Sequence, residues 1–337
     1  DLRVVAPGSF GAALQYFTGS KEHNVRLREL AVRKKLKVNE YGVFRVKGNT
    51  RIAGREERDV YKALGLPWIA PELREDQGEI ARAQAGNLPP LVELRDIRGD
   101  FHVHSNWTDG RDTLETMMQA GVARGYQFLA MCDHSQSLRV AHGMSIPRIR
   151  QQMKEIGAFN TRQKRCRILM GSEVDILADG KLDYPDDVLK ELDIVVASIH
   201  SGFAQDEATI TRRIVTAMQN PYVTMIAHPT GRILGRRDPY AVNLEMVFKA
   251  ARDTGTALEL NASTRIDLND AAARRAHEAG VMLAISTDAH SRDQLDQMAI
   301  GVGTARRAWL APRHLLNCLT RAQLLKWIAR KRTRPAR

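Results

Sequence analysis

The sequence predicts an α/β protein in which a barrel of seven parallel strands with crossover helices follows a smaller α+β module. Three observations carry this. Seven short apolar runs follow one another after residue 98: Phe101–His104, Phe128–Cys132, Ile168–Gly171, Ile194–Ile199, Val223–Ala227, Ala257–Leu260 and Val281–Ile285. Helix-patterned stretches lie between them at Thr113–Arg124, Thr211–Gln219, Leu244–Thr254 and Ala271–Ala279, and strands that alternate with helices pair in parallel. No glycine fingerprint for a dinucleotide follows the first run, so a closed or nearly closed barrel is favoured over an open doubly wound sheet.

The bulk numbers agree with a soluble globular chain. Its 337 residues suffice for two domains or for one barrel with an appendage. Apolar residues make up 43% and charged residues 27%. No apolar run reaches membrane-spanning length and the opening residues carry no secretory pattern, so no membrane partner is expected. Cys132, Cys166 and Cys318 have no pairing spacing and read as reduced, buried thiols of a cytoplasmic protein. The chain opens at Asp1 without an initiator methionine, which reads as a piece of a longer protein. A net charge of +12 suggests a polyanionic partner. The basic residues crowd at Arg26, Arg28, Arg33, Lys34, Lys35 and Lys37, a helix-patterned segment that reads as a binding face. Arg330–Arg337 reads as a solvated basic tail.

In chain order, residues 1–9 read as a short strand closed by a Pro-Gly turn. Phe10–Phe17 can form a short helix. Ser20 is an N-cap for a second helix over Lys21–Leu36, with Val25, Leu30 and Ala31 as its inner stripe. A Gly-Ser turn that feeds a helix N-terminus is a place where backbone N–H groups can meet a phosphate. Residues 37–52 alternate like a hairpin turning at Gly48-Asn49, and Glu56–Leu64 is one more helix. Residues 75–97 read as a linker, because Pro89-Pro90 breaks both helix and ladder. The expected division is therefore 1–9, 10–74, a linker over 75–97, and a barrel over 98–337.

Polar residues stand at or just after the carboxyl end of the apolar runs: His104, His134, Glu173, His200, His228, Asn261, Asp288 and His290. A parallel barrel gathers those ends at one rim. His102 lies two residues before His104, so both imidazoles share a strand face. With Asp109 the set comprises six histidines and three carboxylates (Asp109, Glu173, Asp288), enough for two or three metal ions. No thiolate is among them, which suits zinc, manganese or iron. Clustered cations activate water and neutralise phosphoryl charge, so hydrolysis of a phosphate ester is the expected chemistry. Asp100 and Asp133 are expected to orient imidazoles, and Asp183 to cap a helix. Asn261 and Arg265 are expected to face the rim, and Arg232 to hold a substrate phosphate. His23, His142, His277 and His314 read as non-ligands.

Two resemblances sharpen this reading. The run Tyr16-Phe17-Thr18-Gly19-Ser20-Lys21-Glu22-His23-Asn24, with Arg28 and Asn39-Glu40-Tyr41, resembles the thumb of a family X DNA polymerase. That implies that Tyr16, Phe17, Gly19 and Ser20 lie against an incoming nucleotide and that Asn24 and Arg28 face the nascent base pair, while the basic cluster itself puts Lys34 and Lys35 on a face that contacts DNA phosphates. Asp1-Leu2-Arg3 matches the strand carrying the third catalytic carboxylate, so Asp1 would help bind Mg2+ at the polymerase site. The partner aspartates and the other polymerase domains are missing from this chain.

Residues 98 to about 310 resemble the PHP family through His102-Val103-His104, Asp109, Asp133-His134, Gly171-Ser172-Glu173, Ser198-Ile199-His200, Ala227-His228-Pro229 and Asp288-Ala289-His290. The resemblance implies a distorted seven-stranded barrel and a three-metal site. One ion would take His102, His104, Glu173 and Asp288, a second Glu173, His200 and His228, and a third Asp109, His134 and His290. Thumb and barrel together resemble the PolX repair polymerases, in which the barrel is a manganese-dependent 3′–5′ exonuclease with AP endonuclease-like activity on abasic sites and on blocked 3′ ends, so gapped or 3′-ended duplex DNA is the expected partner. A small-molecule phosphatase of the histidinol-phosphate kind is the alternative, and a barrel that only scaffolds a polymerase is a second.

Overall fold

In a computed structural model that describes residues 2–333, the chain divides into two units between Pro90 and Leu91. Asp1 and residues 334–337 lie outside the described residues. The first unit opens without the expected strand: residues 2–6 form no ladder, and Pro7–Ser9 is a 3-10 turn leading into α1 (Phe10–Thr18). A Cβ on Gly11 would stand 2.1 Å from the backbone of Glu56, so only glycine lets α1 approach that segment. Gly19, at φ 73°, ends α1. Ser20 then caps α2 (Lys21–Arg33) by accepting from His23 N. This helix buries His23, Asn24, Leu27, Leu30 and Ala31, an i, i+1, i+4, i+7, i+8 stripe, whereas Val25 turns to solvent. It stops at Arg33 because Lys35 adopts φ 57°, which frees Leu36 to start a strand.

The hairpin has three strands rather than two. β1 (Leu36–Asn39), β2 (Gly42–Arg45) and β3 (Arg51–Ala53) pair antiparallel in order, and Gly48-Asn49 occupies the second turn. α3 (Glu57–Ala63) and α4 (Glu79–Gln84) follow. The expected linker begins by closing this unit. The Glu79 side chain reaches into the fold, where its Oε1 lies 2.6 Å from His23 Nδ1 and both oxygens accept backbone N–H groups of Asp76 and Gln77. Arg74, fully buried, holds Glu57 at 2.7 Å.

The second unit alternates strand and helix. In order it contains β4 (Gly99–Val103), α5 (Leu114–Ala123), β5 (Phe128–Met131), α6 (Ile146–Arg162), β6 (Arg167–Asp175), α7 (Asp186–Leu189), β7 (Ile194–Ser198) and α8 (Glu207–Gln219). Then come β8 (Met225–Ile226), α9 (Leu244–Thr254), β9 (Ala257–Asn261), α10 (Asp270–Glu278), β10 (Leu283–Ser286), α11 (Met298–Arg307) and α12 (Arg321–Arg332). The seven strands pair in sequence order, all parallel. β10 and β4 share no ladder. A bridge between Val103 and Ala289, with His104 N donating to Ala289 O at 2.8 Å, closes the upper end. At the lower end the buried Asn317 amide donates to Gly99 O and Ile285 O and accepts from Ile285 N, supplying by side chain the bonds a ladder would have made.

Strand alternation separates two apolar layers. Leu129, Met131, Ile168, Val195 and Leu258 face the helices, while Phe128, Ala130, Leu169, Val196 and Ala284 fill the barrel. α12 drives Leu324 and Ile328 into that inner core and plugs the amino-terminal end of the barrel. The basic tail is thus not simply solvated as far as it is described: Lys331 is buried and Arg332 donates to Leu192 O.

Candidate metal centre

The strand ends deliver the expected ligands to one cup. β4 has an irregularity between Asp100 and Val103, so Phe101 can enter the barrel core while His102 and His104 both reach the cup above it. Glu173 projects from within β6, not from its end. Its Oε2 lies 3.2 Å from His102 Nε2, 3.7 Å from His104 Nε2 and 3.0 Å from His134 Nδ1. Its Oε1 lies 3.2 Å from His200 Nε2 and 2.9 Å from His228 Nε2. Asp288 Oδ1 stands 3.2 Å from His104 Nε2 and 3.8 Å from His102 Nε2. Asp109 gathers a second focus, with His290 Nε2 at 3.3 Å, His134 Nε2 at 3.5 Å and His104 Nδ1 at 3.8 Å. All nine groups converge.

These residues fit cations. His102 Nε2, both ring nitrogens of His104 and His134 Nδ1 are buried without a hydrogen-bond partner, a costly arrangement unless the lone pairs serve a ligand. Three sets, His102/His104/Glu173, His134/Glu173/His200 and His104/Asp109/His134/His290, each place one donor atom apiece within 4.8 Å of one another. Carboxylates and rings hold one another charged: against burial, Glu173 raises His102 and His200, and Asp109 raises His290. Burial works against the Glu173 charge, yet the imidazoles of His102, His200 and His134 outweigh it and hold the carboxyl well below its usual range. Asp288 is likewise held low by His102 and His104 against burial. Burial, reinforced by His290, pushes His104 down to about 3, so its ring is neutral and can ligate.

Hydrogen bonds behind the rings set which nitrogen faces the cup. Glu259 Oε1 takes His102 Nδ1 at 2.8 Å, Asp175 Oδ1 takes His200 Nδ1 at 2.6 Å, and the Asp288 carbonyl takes His290 Nδ1 at 2.8 Å. In each case Nε2 is left for a cation. Glu259 also accepts from His228 N at 2.6 Å, and Asn261 Nδ2 joins it to Asp288. Neither Glu259 nor Asp175 was expected. The available signal was an acid inside an otherwise apolar strand, Ala257-Leu258-Glu259-Leu260, and a second acid two residues after Glu173.

Four expectations need correction. Asp133 orients no imidazole. It accepts from Ser105 N and Oγ, Thr108 Oγ1 and Gln152 Nε2, and so holds the loop that carries Asp109. Asp100, raised to about 6 by burial, accepts from His102 N and Thr287 and ties β4 to the segment before Asp288. Asp183 caps no helix but accepts from Ser137 N at 2.7 Å. Arg232 gives Nε and Nη2 to the carbonyls of Arg265 and Ile266, so it braces that loop instead of pointing at a phosphate. The arginines lining the cup's mouth, a cavity of about 340 Å³, are Arg237 and Arg265, beside Leu138, Phe203 and Ile233. Arg265 reaches Asp288 Oδ2 at 3.3 Å and keeps a buried, unpartnered Nη1.

In the first unit, Phe17, Arg28, Lys34 and Lys35 are exposed, and Tyr16, Gly19 and Ser20 are half-buried at the α1–α2 corner. Asn24 is turned inward, accepting from Gln15 Nε2 at 2.6 Å and donating to Tyr16 O at 2.8 Å, so its amide is not presented to a base pair. Asp1, expected at the polymerase metal site, lies outside the described residues.

The DNA polymerase beta thumb family matches residues 13–75 and the PHP domain family residues 100–263. The DNA polymerase/3′-5′ exonuclease PolX of Bacillus subtilis (strain 168) is 45% identical over 318 residues, 94% of this chain. The chain joins a polymerase beta thumb to a PHP domain. It spans 55% of the length of that Bacillus PolX. A probable phosphatase of Thermoanaerobacter sp. (strain X514) is 30% identical over 204 residues, which are 57% of this chain and 78% of that protein. Among solved structures, a histidinol phosphate phosphatase from Lactococcus lactis, complexed with zinc, L-histidinol and phosphate, matches at a TM-score of 0.45 and 14% identity, covering 62% of this chain and 93% of its own. No helix among the described residues is long and apolar enough to cross a membrane.

Proposed function

We propose that the barrel is a divalent-metal phosphodiesterase that removes nucleotides from the 3′ ends of DNA in the cytoplasm. His102, His104, Glu173 and Asp288 would hold one cation, Glu173, His200 and His228 a second, and Asp109, His134 and His290 a third. The observation that carries this is a single buried carboxylate, Glu173, within 3.7 Å of five imidazoles. Such a group is uneconomical in a structural core but suits a bridge between cations. Bound divalent ions would lower the pKa of water and neutralise charge on the phosphoryl group. The imidazole and carboxylate donors suit manganese, zinc or iron, and Asp109 tilts its focus towards a harder ion such as manganese.

The chain's own groups divide the remaining work. Glu173 and Asp288 stay ionised, while Glu259 and Asp175 fix the ring tautomers. Arg265, with one donor on Asp288, has another to give to a substrate phosphate. Among the described residues lining the cup's mouth there is no serine or cysteine to act as a covalent nucleophile, and burial pushes the Cys132 thiol beneath it far above its ordinary range. In the first unit, Arg28, Lys34 and Lys35 would meet DNA phosphates without reading sequence. The Tyr16–Ser20 corner would lie against a nucleotide when the remaining polymerase domains, Asp1 and Mg2+ complete that site. The exonuclease named in the Bacillus relative supports the substrate class.

The test incubates the chain with manganese, a 5′-labelled gapped duplex and, separately, histidinol phosphate. Stepwise shortening of the DNA from its 3′ end is expected. Phosphate release from histidinol phosphate with the DNA left intact would assign the cup to small-molecule hydrolysis instead.

A further inference from the structure

The end of the barrel opposite the cup carries a charge pattern that catalysis does not use. The loop from α6 to β6 reads Arg162-Gln163-Lys164-Arg165-Cys166-Arg167; its four basic side chains are exposed while Cys166 pins it to the core. No aspartate or glutamate lies between Glu155 and Glu173, and none follows Asp296. Arg321 and Lys326 are exposed on α12, the helix that plugs this end with Leu324 and Ile328. Lys164, Arg165, Thr320, Arg321 and Leu325 line one cleft of about 410 Å³, so loop and helix form a continuous surface. Among the described residues, no ion pair engages Arg162, Lys164, Arg165, Arg167, Arg321 or Lys326.

A fold does not need six unneutralised cations on one face. Their mutual repulsion works against the compact state, and a polyanion relieves it. We infer that this amino-terminal end of the barrel is a second DNA-docking surface, one that grips the phosphate backbone of a duplex away from the hydrolytic cup. The dimensions suit a duplex. The twelve residues of α12 span about 18 Å at 1.5 Å each, the run of about five phosphates on one strand at 3.4 Å per residue of axis. An anionic membrane fits less well, because interfacial binding needs a broad apolar face. Among the described large apolar side chains on this face, only Leu325, at 44%, is substantially exposed. Recognition would be sequence-independent, since nothing here is shaped to enter a groove.

The experiment uses the whole chain loaded with manganese and a fluorescent 24-base-pair duplex whose 3′ ends are protected by phosphorothioates. Anisotropy is read across a salt series for the wild type, for an R162E/K164E/R165E variant, and for a milder R165Q/R321Q variant. Removing three phosphate contacts should reduce the slope of log K against log salt by about 2.7, and removing two by about 1.8, at about 0.9 per contact. Affinity near 0.15 M salt should fall at least tenfold for the triple variant. Hydrolysis of bis(p-nitrophenyl) phosphate should stay within twofold of wild type in both, which also certifies folding; should the triple variant not fold, the milder one decides. An unchanged slope in the milder variant overturns the inference. So does charge-dependent binding to vesicles containing a quarter phosphatidylglycerol at the concentrations that bind DNA. If the wild type hydrolyses no phosphodiester at all, the proposed chemistry of the cup fails while the binding result stands on its own.

Discussion

Glu259 is the sharpest place to perturb the cup without touching a ligand. It is fully buried, its Oε1 accepts from His102 Nδ1 and its Oε2 accepts from the backbone N–H of His228. A carboxylate satisfies two donors at once, whereas an isosteric amide has a single accepting oxygen. In a Glu259→Gln variant the amide NH2 must therefore face one of them. Facing His102, it makes Nδ1 an acceptor and drives the proton to Nε2, the nitrogen that points at Glu173. Facing His228, it opposes a buried N–H and leaves it unmade, at a cost of about 1–3 kcal/mol. A substitution behind a metal-ligating histidine typically weakens metal binding 10–100-fold, about 1.4–2.8 kcal/mol, so both routes give the same size of effect. The assay is manganese titration followed by turnover of bis(p-nitrophenyl) phosphate. Half-saturation should move up by one to two decades, excess metal should restore most of the rate, and the metal-loaded Tm should fall. A variant that keeps its metal affinity and rate within twofold at limiting manganese would show that this hydrogen bond does not set the His102 tautomer.

Other consequences follow from the same geometry. His23→Ala takes the ring from the buried Glu79 carboxylate and leaves it only the backbone N–H groups of Asp76 and Gln77, so the first unit should lose about 1–3 kcal/mol. Denaturant unfolding of that unit should shift, while barrel hydrolysis of a small phosphodiester should not. Arg232→Ala should lower Tm by a few degrees and leave KM for an aryl phosphate unchanged, whereas Arg265→Ala should raise KM at least tenfold; the reverse pattern would return Arg232 to the substrate. The stacked pair His277 and His314 should make the barrel acid-sensitive. Burial and then His277 hold His314 down to about 4, and its Nδ1 accepts from Ala311 N. An unfolded histidine titrates near 6.5, so between about pH 6.5 and pH 4 the unfolded chain binds more protons and stability falls as pH falls. A His314→Asn variant compared with wild type in denaturant midpoints at pH 7.5 and pH 5 should show a smaller loss. Identical losses would remove His314 from the explanation.

Much of the barrel was legible because its code is local. An apolar run of four to six residues with a polar residue near its carboxyl end recurs from β4 to β10, a helix-patterned stretch stands behind four of the seven runs, with α6 and α7 outside that reading, and parallel pairing in sequence order follows from short crossovers. The ligands were legible for the same reason: His104, His200 and Asp288 stand where strand ends must gather. The first unit was read less well. Val25 and Leu27 are both apolar residues on one helix, and which of them is buried depends on which face of α2 packs against β1.

What the residue order determined by itself was the repeating alternation, the kinds of donor available and their place at strand ends, since these depend on period and chemistry within a few neighbours. Only the tertiary structure decided which acid sits behind which imidazole, because Glu259 and His102 are 157 positions apart and no spacing rule connects them. It also decided that Arg232 braces a loop, and that the basic terminal helix plugs the barrel with two apolar side chains. Hydrogen-bond partners and buried faces are set by what the fold brings within about 3 Å, and sequence separation carries no information at that distance.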